Sequence, residues 1–111
     1  MRRLSYAAAA LMAGGILFAG PALADSIDGN WCATKGVRFL SIDGPKMVTP
    51  GGKSIAGHYS RHDFVYTAPA GEIEAGKVVN LHLVNEQTVL LEHDGLKEPE
   101  VWLRCASRPV A

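Results

Sequence analysis

Few residues in this chain have the chemistry to do more than pack. Two cysteines, Cys32 and Cys105, each stand within three residues of a tryptophan, and the four histidines all fall in the second half of the sequence. Two cysteines admit a single intramolecular pairing. A metal pair would need further ligands close by, and a redox pair is usually a C-x-x-C. The spacing therefore favours a structural disulfide, which by chain entropy is worth roughly 4 kcal/mol for a loop this long.

The richest segment is "GHYSRHDFVY", residues 57–66, which carries His58, Tyr59, Arg61, His62, Asp63, Phe64 and Tyr66. His58 and His62 on one face, or facing each other across a turn at Ser60-Arg61, could approach one metal ion with His82 or His93 as a third ligand. No cysteine or H-x-x-E pattern supports them, and polar residues on a solvated face are the plainer reading. His62-Asp63 near Ser54 or Ser60 has the residue types of a hydrolase triad, without a nucleophile elbow to present the serine. Tyr59, Arg61, His62, Phe64 and Tyr66 are also types enriched where proteins bind proteins. This segment is the predicted binding surface.

The elements that position these residues begin after a leader. Arg2 and Arg3 precede an apolar run from Ala7 to Ala19, then Gly20-Pro21 and Ala22-Leu23-Ala24 ahead of Asp25. This is the pattern of a secretory signal peptide over 1–24, and the run is too short for a membrane span of about 20 residues. It predicts a single exported domain over 25–111, periplasmic or secreted and not inserted in the membrane. Of the eleven Lys and Arg, two lie in the leader, which leaves nine against eleven acidic residues with no charge block. A nucleic-acid partner asks for a clustered basic face, so that class is set aside.

After the leader helical periodicity is absent, and short alternating or β-branched runs recur between Gly, Pro, Asn and Asp. "KVVNLHLVN" is the clearest, with Val79, Leu81 and Leu83 on one face and Asn80 and His82 on the other. Asn85-Glu86 connects it to "QTVLLEH", with Val89 and Leu91 inward. The spacing predicts an all-β antiparallel meander of about seven strands closed into a barrel or folded into a sandwich. Pairing the first strand with the last would remove both free edges, and a Cys32–Cys105 bond would latch them. Val101 and Leu103 share the face of Cys105, predicted as the core face. Trp102 and Arg104 then fall on the other, where Arg104 could stack on an aromatic ring, with the two tryptophans as a satellite cluster. "SIDG" at 26–29 and 41–44 marks strand-end turns rather than a repeat.

Gly29-Asn30-Trp31, after a leader and at the start of a meander, resembles the G-x-W opening of lipocalin-like barrels, a resemblance that implies a small-ligand barrel. Size, export and disulfide use are similar to those of small periplasmic inhibitor barrels of lysozyme or secreted proteases. The lysozyme-inhibitor families carry a Ser-Gly-x-x-Tyr loop, and the nearest stretch here is Ile55-Ala56-Gly57-His58-Tyr59. "TPGG…YSRHDFVYTAPAGE…EVWLRC" also looks like small exported bacterial proteins without an assigned activity. The expectation is a monomeric, cofactor-free, non-enzymatic recognition, inhibitor or envelope-support module, with another envelope or secreted protein as partner. Histidine-based metal binding is the alternative, and a small hydrolase a more distant one.

Overall fold

The computed structural model describes residues 25–106, so the signal-peptide reading of 1–24 lies outside the described residues. Nine strands follow one another: β1 (Gly29–Ala33), β2 (Phe39–Asp43), β3 (Lys46–Val48), β4 (Ser54–Ala56), β5 (His58–Tyr59), β6 (Asp63–Thr67), β7 (Val78–Asn85), β8 (Thr88–Glu92) and β9 (Glu100–Arg104). All pairings are antiparallel, in the order β4-β3-β2-β1-β9-β8-β7-β6-β5. The sheet curls until it is nearly a closed barrel.

Nine strands stand where about seven were expected, and one cause is Gly57. The run "SIAGHY" pairs with β3 up to Ala56, then crosses to pair with β6 from His58. A Cβ at Gly57 would lie 2.5 Å from Cε1 of Phe64 and 2.8 Å from the Val65 carbonyl oxygen. Only a residue without a side chain lets the chain swing over the Phe64 ring at that point.

The disulfide joins β1 to the end of β9, with the two Cα atoms 5.1 Å apart across 73 residues of sequence. First and last strands pair through Trp31↔Arg104, Cys32↔Leu103 and Ala33↔Trp102, as the latch required. That latch lies mid-sheet. β4 and β5 end the strand order instead, so pairing the termini does not abolish every free margin.

Inward positions alternate as the pleat demands. Val79, Leu81 and Leu83 of β7 and Val89 and Leu91 of β8 are buried, as their spacing predicted. The β7–β8 connection is Glu86-Gln87 rather than Asn85-Glu86: Asn85 pairs with Thr88 after a register shift past Leu83, and its Oδ1 accepts from the Gln87 N–H at 2.9 Å. In β9 the expected faces are reversed. Trp102 is 1% exposed, whereas Val101 and Leu103 are 41% and 43% exposed. Trp31 is also buried, so the tryptophans belong to the core and the disulfide to the outer wall. Indoles fill the barrel because they remove the most apolar area from water. Their N–H groups are satisfied: Trp31 Nε1 donates to the Ile27 carbonyl at 2.8 Å and Trp102 Nε1 to Glu100 at 3.1 Å.

Each end of the barrel is sealed. Residues 69–76 bring Glu74 beneath one end, where it is 1% exposed and Arg38 Nη2 reaches both its oxygens at 2.8 Å. Arg38 also lies 5.6 Å from the Trp102 ring, a cation–π arrangement. Burial and the negative charges of Glu74 and Glu72 push the Tyr66 hydroxyl far above its ordinary value.

Candidate functional site

At the other end, the first described residues form a plug. Ile27 is fully buried, its N–H donating to the Arg61 carbonyl at 2.8 Å. Arg104 lies across Trp31, 4.4 Å from the ring centroid, which is the stacking expected of it. Its guanidinium donates to the carbonyls of Asp28 at 2.7 Å, Ser26 at 2.8 Å and Glu86 at 2.6 Å. Burial lowers its pKa. Gly29, at φ 130°, leaves the space that Arg104 Nη1 occupies.

Tyr59 and Asp28 complete this plug. The Asp28 carboxylate accepts from Ser26 Oγ, from the Tyr59 hydroxyl at 2.5 Å and from the Gly44 N–H at 2.5 Å. Burial works to raise its pKa, but the bonds from Ser26, Tyr59 and Gly44 outweigh it and hold the carboxyl below its ordinary 3.8. The same bond raises the Tyr59 hydroxyl. A group depressed on folding stabilises the native state above its unfolded pKa and loses that contribution as the pH falls through the folded value. Asp28→Asn is therefore expected to be less stable at neutral pH and to show a flatter loss of stability below about pH 4 than the wild type. Melting temperature against pH measures it.

The predicted binding surface does not assemble. Phe64 and Tyr66 are 0% and 2% exposed, inward neighbours on β6 with ring centroids 6.3 Å apart. Tyr59 is turned to Asp28, and Arg61 is paired with Asp25 at 2.5 Å. His62 lies in the Arg61-His62 turn between Ser60 and Asp63, which puts the turn one residue later than expected. Of the five, Tyr59, Arg61 and His62 reach solvent and Phe64 and Tyr66 do not.

The histidines do not converge either. His58 is exposed on β5 opposite Val65, and His82 Nδ1 lies 2.7 Å from Asp63 Oδ1 on the outer wall. His93 bonds the Asp94 carbonyl. Among the described residues no three His, Cys, Asp or Glu side chains are grouped to hold a metal ion. Asp63 is thus engaged by His82 rather than by His62, while Ser60 Oγ bonds the Asp63 carbonyl at 3.4 Å.

What sequence reading missed is on the outside of the latch. The register runs Phe39↔Cys32↔Leu103↔Thr88 across β2, β1, β9 and β8, with Val101↔Leu90 one step along. Paired residues share a face, so Phe39, the disulfide, Leu103, Val101 and Leu90 form one outward apolar wall. Phe39 is 59% exposed. Contiguous exposed apolar surface is what marks interaction sites on small domains. The parity of Asn30 and Cys32 carried the signal: an asparagine beside a core tryptophan places its own face, and so the cysteine, outside.

No protein-family model matches the chain, and comparison with curated proteins and with solved structures gives no match.

Proposed function

We propose that this is an exported, non-enzymatic periplasmic or secreted protein that recognises another envelope or secreted protein, as an inhibitor or envelope-support module. The observation that supports this reading is the outward wall of Phe39, Val101 and Leu103 over a disulfide-latched sheet. Large apolar side chains on a rigid wall lose little conformational entropy on binding, and water-exclusion around an aromatic anchor supplies affinity. The interior is filled by the two tryptophans, Phe64, Tyr66 and the aliphatic residues around them. That filling favours a partner on the outer surface over the enclosed ligand that a lipocalin-like opening implies.

The test compares the oxidised chain 25–111 with Phe39→Ser/Leu103→Ser as baits for envelope extract. The wild type is expected to retain a partner that the double variant loses, while the melting temperature changes little because both side chains are already half in water. Equal capture by the two baits, or no partner for either, overturns the recognition wall.

A further inference from the structure

The one interruption in the barrel wall has a chemistry of its own. β4 pairs only with β3, and β6 is paired on that side by β5 through Phe64 and Val65 alone. Antiparallel ladders alternate residues whose main-chain groups point to the partner with residues whose groups point away. The Thr49 N–H to Lys53 carbonyl bond and the Gly57 N–H to Pro45 carbonyl bond, both 2.8 Å, fix that alternation for β4. Ile55 turns its N–H and C=O to Met47, so Ser54 and Ala56 turn theirs away from the sheet. On β6, Leu83 N–H to the His62 carbonyl and Ala68 N–H to the Lys77 carbonyl set the same count. Thr67 therefore directs its main-chain groups away from β7, towards β4.

Continued past Gly57, the β5–β6 ladder would pair Ala56 with Thr67. It ends before that pair, and a cleft of about 510 Å³ lies there, lined by Ile55, Ala56, Gly57, Val65, Thr67 and Val78 among others. Pro69, also at this cleft, has no N–H with which to extend the β6 margin. A second cleft of about 630 Å³ lies beside the same strand, bounded by Ser41, Met47, Val48, Ser54, Ile55 and Ala56. The only other lining residues of this second cleft, Asp43 and Lys46, are of opposite charge. An unpaired edge beside open clefts is the arrangement that strand addition uses: main-chain bonds supply affinity, and side chains of one parity meet the outer face on which both clefts open.

We infer that the free margin of β4 takes an extended peptide segment of another protein, with β-branched apolar or hydroxyl side chains at alternate positions. Small neighbours at Ser54 and Ala56 leave room for such side chains; His58 at the first cleft and the opposed Asp43 and Lys46 at the second leave neither cleft with an excess of acidic or basic side chains that would call for a strongly charged segment. This inference shares with the proposed function only the need for a polypeptide partner. It uses a different surface, and the two fail separately.

The probe is the capped peptide acetyl-Thr-Val-Thr-Val-Thr-Val-Lys-amide, titrated into the uniformly ¹⁵N-labelled, oxidised chain 25–111. Amide shifts are expected at Ser54, Ala56 and Thr67. Ala56→Pro deletes an N–H that β3 does not use and is expected to weaken binding about tenfold, the equivalent of roughly one good hydrogen bond. N-methylation of alternate peptide amides gives the same test on the wild-type chain: one set is expected to abolish binding and the other to leave it, whether or not Ala56→Pro folds. No shift at millimolar peptide, shifts confined to Phe39, Val101 and Leu103, or equal loss from both methylated sets overturns the inference. So does sedimentation of the chain alone as a dimer that Ala56→Pro dissociates, since the edge would then serve a second copy.

Discussion

Replacing Cys32 and Cys105 together by alanine is expected to lower stability by roughly 4 kcal/mol. The estimate rests on their sequence separation of 73 and on what the bond holds. β1 and β9 occupy the middle of the strand order, and each has a further neighbour, β2 and β8. Without the tie, the β1–β9 seam keeps three register pairs, and the two halves of the sheet are otherwise joined through the plug around Arg104 and Asp28 and the Arg38–Glu74 pair at the other end. A domain of this size has a total stability of about 5–15 kcal/mol, so the double variant should be marginal at 37 °C. Denaturant melts of the oxidised protein, the protein with reductant and the double variant measure it. Coincident midpoints would show that the bond contributes nothing.

Phe64→Ala is expected to cost about 3–5 kcal/mol, the range for an aromatic side chain removed from a core. Its ring is fully buried, touches the space above Gly57 and neighbours Tyr66. Losing it leaves a void where the strand crosses from β3 to β6, so the sheet's closure suffers along with its packing. Arg61→Ala, in the same segment, is the contrast. Arg61 and Asp25 are 56% and 58% exposed, and an exposed ion pair is worth about 0–1 kcal/mol. A surface role for both residues would make the two variants equally stable. Urea denaturation of each separates the cases, and a Phe64→Ala midpoint matching the wild type would remove Phe64 from the core.

Much of the architecture was legible because alternation is unambiguous where one parity is polar. In β7, Asn80 and His82 interleave with valine and leucine, and the faces follow. The disulfide was legible from count and position. In β9 the alternation fails as a guide, because Val101, Trp102 and Leu103 are all apolar and either parity would serve as the core. There the larger indole prevailed, and Arg104 followed it inward by stacking on Trp31. The candidate site suffered most. The aromatic segment 57–66 looked like a surface because its residue types are those of interfaces, yet Asp63, Val65 and Thr67 mark one parity of β6 and leave Phe64 and Tyr66 to the other. The plug was illegible for a different reason: Ile27, Tyr59, Gly44 and Arg104 meet only through tertiary closure, and nothing in their spacing foretells it.

The central position of the β1–β9 ladder also governs when the fold can appear. Pairings between distant parts of a chain form slowly, since loop closure must come first. Until residues 100–105 emerge, whether from a ribosome or through a translocation pore, β1 lacks half its partners. Hairpins such as β7–β8 can form locally at any time. A polypeptide so arranged cannot complete its barrel until its final strand is delivered.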